Sequence, residues 1–278
     1  MEALDFLAFD PDFSSPRTIA AYDELPLWSA MFGLLLLDEV PLTPVKLALD
    51  VGCGTGFPTI ELAERLGTGA HVHGLDLWSA GLTRAAEKVA SRETRNVTLH
   101  EGTAAAMPFA DGTFDLIVSN LGVNNFDNRA GSIRECRRVA TAGAPIALTT
   151  NLQGHMQEFY AVFDEVLNDS GDTGARRLLE EHVAHRATVA GVRDLLEDGG
   201  FRVTRVVERA GRMRFANGTA LLSHHFIKLG FLDAWKKVVP GREAETFRSL
   251  RSRLDRVAEE KGELALTIPM AYVEAVAV

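Results

Sequence analysis

From Val45 onward, short apolar runs alternate with stretches whose apolar residues recur at helical spacing. This alternation predicts βαβ units wound around a parallel sheet. "VKLALDVG" reads as a first buried strand and Pro58–Leu66 as the helix behind it, with proline where a first turn tolerates it and Gly67 where a helix end favours glycine. "AHVHGLDL" is a second strand, followed by the helix "AGLTRAAEKVASRE" with Ser79 as its expected N-cap. "NVTLHEG" and "FDLIVSNL" follow as strands three and four, with the turn "ADGT" between them. After the helix "AGSIRECRRVA", a fifth strand, "PIALTTNL", ends near Leu152.

Beyond Leu152 the rhythm changes. "QEFYAVFDEVLND" and "ARRLLEEHVAHRA" are amphipathic helices with no strand between them, which predicts a helical insertion over 154–187. The sheet pattern returns with the helix "TVAGVRDLLEDGG", capped by Thr188, and the strand "FRVTRVVE". A second helical insertion over 216–262 precedes the closing strand "ELALTIPMAYVEAVAV". Residues 1–44 carry Phe6, Phe9, Phe13, Tyr22, Trp28 and Phe32, broken into short pieces by Pro11, Pro16, Pro26, Pro41 and Pro44, and read as a helical cap. The expectation is one domain over 1–278: cap 1–44, a first half 45–153, the insertion 154–187 and a C-terminal half 188–278.

Charge and cysteine content narrow the partners. The net charge of −9 works against broad phosphate-backbone binding, so a small-molecule partner is expected and nucleic acid is not. Two cysteines, Cys53 and Cys136, make no disulfide framework and suit a reducing compartment. The opening "MEALDFLAFDPDF" lacks the basic region and long apolar core of a signal peptide and the longest apolar run, "FGLLLL", is too short to span a bilayer, so a cytoplasmic protein is expected. The sequence allows a homodimer without requiring one.

The chemistry is concentrated in "LDVGCGTGFP". A dinucleotide fingerprint needs glycine at its first, third and sixth positions; counted from Gly52 the sixth is Phe57, and counted from Gly54 it is Thr59. What remains is G-x-G-x-G, Gly52, Gly54 and Gly56, after Asp50 at the end of a strand. Glycines here permit positive φ and let a ligand lie against bare backbone. Asp76 ends the second strand at a spacing from the loop that suits a carboxylate accepting from a vicinal diol, although alone it would read as a turn residue or cap.

"LDVGCGTGFPTIELAERLG", "GLDLWSAGLTRAAEKV", "EGTAAAMPFADGTFDLIVSN" and "RECRRVATAGAPIALTT", in that order, resemble the class I S-adenosylmethionine-dependent methyltransferases, and among them the small-molecule enzymes related to ubiquinone and menaquinone biosynthesis. The resemblance covers about Val45–Leu152. It implies a Rossmann-like, doubly wound α/β fold with a seven-stranded sheet whose last strand is antiparallel, here with a helical cap and insertions. It also implies S-adenosylmethionine as cofactor and methyl transfer to a small organic acceptor. By the same analogy Gly52, Gly54 and Gly56 line the methionine and ribose portion, Asp76 at the end of the second strand takes the ribose hydroxyls, Asp50 and Leu77 count among the cofactor-binding residues, and Asn120 and Leu121 end the fourth strand beside the cofactor. Family members commonly place an aspartate after the third strand to receive the adenine amino group; Thr103 stands there instead, with the Ala104 backbone N–H as the alternative.

Methyl transfer from a sulfonium gains most from alignment, and a base is needed only for an acceptor that arrives protonated. His155, in the loop after the fifth strand, is the expected base, ahead of His224 and His225; core packing is the plainer reading of each. Tyr22, like Trp28, has the residue type to lie over a sulfonium. Asn124 and Asn125 are turn formers or substrate-facing. Arg202, Arg205, Arg209, Arg212 and Arg214 read as a solvated strand edge. Two other functions stay open: a cofactor-binding protein without transferase activity, and RNA or protein methylation.

Overall fold

The computed structural model describes residues 4–24, 28–42 and 44–278, so the break expected at Pro26 lies outside the described residues. The chain forms two compact units.

The first unit, residues 13–151, 187–209 and 270–278, is built on a sheet. Among the described residues it has seven strands in the order β3-β2-β1-β4-β5-β7-β6. They are β1 (Leu47–Val51), β2 (His71–Asp76), β3 (Val97–Glu101), β4 (Leu116–Asn120), β5 (Pro145–Asn151), β6 (Phe201–Phe215, of which 201–209 belong to this unit) and β7 (Leu264–Ala277, of which 270–277 belong to it). β1 pairs in parallel with β2 and β4, β2 with β3, and β4 with β5, while β7 runs antiparallel to β5 from Pro145↔Val276 to Asn151↔Met270. Ala48, Leu49, Val51, Leu116, Ile117 and Val118 are all buried, as parallel strands covered on both faces require. This unit also holds α1 (Pro16–Glu24), α2 (Ser29–Glu39), α3 (Thr59–Leu66), α4 (Ser79–Ser91), α5 (Arg129–Val139) and α8 (Val189–Asp198).

Local chemistry sets the helix ends. Gly67 closes α3 at φ +70°, and Thr188 Oγ1 accepts from Gly191 N at 3.0 Å to open α8, both as the sequence predicts. Ser79 differs: it is the first residue of α4 and caps nothing, because Asp76 Oδ1 accepts from Trp78 N at 2.8 Å one position earlier. β6 continues past "FRVTRVVE" to Phe215.

The second unit, residues 1–12, 152–186 and 210–269, is mainly helical: α6 (Gln157–Asp169), α7 (Thr173–Ala184), α9 (Gly218–Ser223), α10 (His225–Ile227), a π-turn at Lys228–Leu232, α11 (Asp233–Lys236) and α12 (Glu243–Lys261). Its core is aromatic: Phe159 stacks on Trp235 at 4.0 Å, and Phe247 meets Phe6 and Phe163. Asp255 accepts from Thr219 N and Oγ1 and ties α12 to α9. The expected cap over 1–44 is thus divided between the two units. Among the described residues no single helix is long and apolar enough to cross a membrane.

Candidate cofactor site

Strand order reverses between β1 and β4, the point where doubly wound sheets open a crevice at the carboxyl ends of their strands. There the backbones of two loops meet. A methyl on Gly52 would lie 3.1 Å from Gly122 Cα, and one on Gly122 would lie 2.6 Å from the Val51 carbonyl. Gly52 N and Cys53 N donate to Leu75 O at 2.8 and 3.2 Å, which anchors the start of the glycine loop to β2.

The remaining loop glycines differ in what they face. Gly56, at φ +93°, would press a methyl to 3.0 Å from Ala85 Cβ on α4. Gly54, at φ +52°, has no atom within 4 Å of the position a methyl would take. Gly54 N donates to Asp76 Oδ2 at 2.7 Å. One carboxylate therefore clamps the loop through Oδ2 and the start of α4 through Oδ1, and each oxygen keeps a further lone pair. Beside it Leu77 is 63% exposed.

Asp50 is fully buried at the end of β1. Its Oδ2 accepts from Thr59 Oγ1 at 2.5 Å, while Oδ1 is buried with no hydrogen-bond partner. Desolvation pushes the carboxyl up to about 7 against the Thr59 hydrogen bond, with Asp76 adding to the rise. A carboxyl so placed lacks a donor or a positive charge, and an amino acid ammonium or a sulfonium fits that need.

Asn120 ends β4 with Oδ1 accepting from Thr149 Oγ1 at 2.7 Å and Nδ2 donating to Ser29 O at 3.1 Å, so it fastens α2 to the sheet. Leu121 follows at φ +64°, a left-handed conformation uncommon for leucine. Asn124 is engaged within the protein, donating to Asn151 Oδ1 and accepting from Thr150 Oγ1. Thr103 Oγ1 accepts from Ala105 N at 3.2 Å, which leaves the Ala104 N–H as the open alternative in that loop.

Tyr22 on α1 is 36% exposed and meets Trp78 edge-on at 5.4 Å. Burial of its hydroxyl, then the Asp76 and Asp23 carboxylates, push its pKa above the usual phenol range. The sheet unit thus holds every expected site residue except His155. His155 lies in the helical unit, buried against Phe231 at 5.5 Å, and burial, with Arg186, His182 and His185, pushes its ring down to about 3. Such a ring is neutral at pH 7 and a weak base. Trp28 packs on Phe32, His224 against Phe215 and His225 against Phe9. Arg205 and Arg209 pair with Glu39, and Arg214 with Glu263, so the basic stretch is largely neutralised. Sequence reasoning missed Thr59 and Asp23, whose partners lie elsewhere in the chain.

A family described as "Methyltransferase domain" matches residues 49–148. The demethylmenaquinone methyltransferase of Listeria welshimeri is 31% identical over 172 residues, which span 59% of this chain and 73% of that enzyme. The chain belongs to the class I S-adenosylmethionine-dependent methyltransferases. Solved structures share the fold of this methyltransferase. One is an S-adenosylmethionine-dependent methyltransferase from Aquifex aeolicus, with TM-score 0.54 and 24% identity, covering 69% of this chain and 92% of the other. Another is phosphoethanolamine N-methyltransferase 2 of Haemonchus contortus in complex with phosphomonomethylethanolamine and S-adenosylhomocysteine, with TM-score 0.57 and 18% identity, covering 98% of this chain and 60% of the other.

Proposed function

We propose that Asp50, Gly52, Gly54, Gly56, Asp76, Leu77, Thr103, Ala104, Asn120 and Tyr22 form the S-adenosylmethionine site of this methyltransferase, and that the acceptor is a small organic molecule. The observation that carries the site is the Asp76 clamp on Gly54, a glycine whose open side and positive φ leave bare backbone beside a diol-accepting carboxylate. Asp76 would take the ribose hydroxyls on its remaining lone pairs, and Leu77 would cover one face of the adenine. Asp50 would balance the positive charge of the methionyl portion. Gly56 acts one step removed, setting the loop's path against α4. The cofactor, when bound, supplies an electrophilic methyl group on a sulfonium.

The chain's contribution to the reaction is alignment and exclusion of water, with effective molarities on the order of 10⁵ M or more available from orientation alone. For an acceptor that arrives protonated we assign the base to His155, which burial keeps neutral; because that ring is a weak base, alignment contributes more to the rate than proton removal does. The Listeria welshimeri relative is named for demethylmenaquinone, which supports a small organic acceptor and puts that compound first in a panel. Net charge −9 and the paired arginines of β6 argue against RNA. Free, buried Cys53 and Cys136 suit a cytoplasmic enzyme, and light scattering separates a homodimer from a monomer. The test is calorimetric titration with S-adenosylhomocysteine, then transfer of labelled methyl across the panel. Absence of binding at high micromolar ligand overturns the site, and binding without transfer to any small acceptor overturns the acceptor class.

A further inference from the structure

Asp23 on α1 joins three elements of the sheet unit. Its Oδ2 accepts from Arg84 Nε at 2.9 Å and its Oδ1 from Lys88 Nζ at 2.5 Å, both on α4, and only 9% of its side chain is exposed. Burial alone would raise this carboxyl; hydrogen bonds from Lys88, Thr55 and Arg84 outweigh it and hold it below the usual carboxylate range. The helix that Asp23 grips also meets the glycine loop: Ala85 Cβ, next to Arg84, lies 3.0 Å from where a methyl on Gly56 would sit. Tyr22, the chain neighbour of Asp23, carries a hydroxyl that feels the Asp76 carboxylate. On the other side Trp78, two residues past Asp76, donates from Nε1 to Phe13 O at 3.0 Å and meets the Tyr22 ring.

Exposed ion pairs contribute little, because water screens them and holding two long side chains still costs entropy. This one is different in kind: the carboxylate is shielded and receives two cations from successive turns of one helix, and that helix packs on Gly56 of the loop the proposed cofactor would lie on. We propose that Asp23 is a positioning residue for S-adenosylmethionine: through Arg84 and Lys88 it holds α1 against α4, the helix that packs on Gly56, and so keeps Tyr22 against Trp78, whose N–H Asp76 holds. The proposal rests on the cofactor site assigned above.

Calorimetric titration of the full chain with S-adenosylhomocysteine, alongside thermal melts without ligand, tests it. Asp23→Asn is expected to raise Kd about tenfold, the size of a typical coupling between two parts of one site. Arg84→Met is expected to raise Kd as well, and the double variant Asp23→Asn/Arg84→Met to bind no worse than Asp23→Asn alone, since both changes break one contact. Asp23→Glu, which restores the charge, recovers at least part of the loss. A purely structural aspartate would lower the melting temperature and leave Kd unchanged; that outcome, or additive losses in the double variant, overturns the inference while leaving the cofactor site standing. Failure of the unsubstituted protein to bind overturns both. Should Asp23→Asn not fold, Arg84→Met removes one arm of the same node: a raised Kd supports the inference, and an unchanged one ends it.

Discussion

Gly54 N donates to Asp76 Oδ2 at 2.7 Å, so the acid that ends β2 holds the loop that follows β1. Its other oxygen holds Trp78 N at 2.8 Å. Asp76→Asn keeps one acceptor and turns an NH₂ group on one of the two N–H donors. Hydrogen bonds to a charged acceptor contribute about 1.5–3 kcal/mol each, so S-adenosylhomocysteine affinity is expected to fall roughly 10- to 100-fold. Calorimetry on the variant checks this, and a Kd equal to that of the unsubstituted enzyme would separate Asp76 from the ligand.

The loop glycines are expected to part company under substitution. Gly54→Ala strains a φ of +52°, at about 1–2 kcal/mol, but its methyl meets no protein atom. Gly56→Ala adds to a similar strain a contact at 3.0 Å with Ala85 Cβ and 3.1 Å with Ile60 Cδ1, and overpacking of this kind costs about 1–3 kcal/mol more. Gly56→Ala should therefore lose more thermal stability, and Gly54→Ala more cofactor affinity relative to its stability loss. Melts and titrations on the pair measure both; the opposite ordering contradicts the assignment of Gly54 to the open face.

What was legible in the sequence is what has a local cause. The alternation of buried runs and helical stretches showed β1 to β5, because parallel strands covered on both faces must be apolar throughout. Thr188 and Gly67 showed helix ends through chemistry confined to one turn. Ser79 misled because an acid three residues earlier reaches forward to the Trp78 N–H. β6 runs on past "FRVTRVVE" to Phe215, and Arg212 and Arg214, spaced two apart as on one face of a strand, are the local sign of that far half. Gly56 was visible as a glycine, but nothing near it in sequence showed that Ala85 occupies the space where its side chain would be. Asp23 lies 61 residues from Arg84 and 65 from Lys88, and an ion pair across that distance leaves no pattern to find.

Asp50 should make cofactor binding and stability respond to pH in opposite directions. Its folded-state pKa, about 7, lies above the ordinary carboxylate value, so the native protein holds the proton more tightly than the unfolded chain. That contribution is complete below the unfolded pKa and is lost as pH rises through 7. Over this window the enzyme is expected to lose stability on the order of a few kcal/mol at this residue, and Asp50→Asn to flatten the decline. Ionised Asp50 is the form that suits a cationic ligand, so S-adenosylmethionine affinity should rise between pH 6 and 8 in the unsubstituted enzyme by about tenfold, and stay level in Asp50→Asn. Parallel pH profiles of denaturant midpoint and Kd settle it. A variant whose two profiles retain the slopes of the parent shows that another group titrates.

His155 has the reverse sign. Burial first, then Arg186, His182 and His185, hold its ring at about 3, below the ordinary imidazole value, so the native state favours the neutral form. The stability this confers is complete above the unfolded pKa of about 6.5 and is lost as pH falls from there toward 3. His182, pushed down to about 4 chiefly by burial, acts in the same direction in the same unit. His155→Phe removes one of these titrations while keeping a ring against Phe231. Its acid-unfolding midpoint should therefore move to lower pH, even if stability at pH 7 falls modestly. The same variant divides the two functional roles open to this residue. If His155 takes a proton from the acceptor, kcat falls while Kd for S-adenosylhomocysteine holds, and the rate's dependence on pH changes shape. If it only packs, kcat and Kd both stay near the parent values and the acid midpoint alone moves.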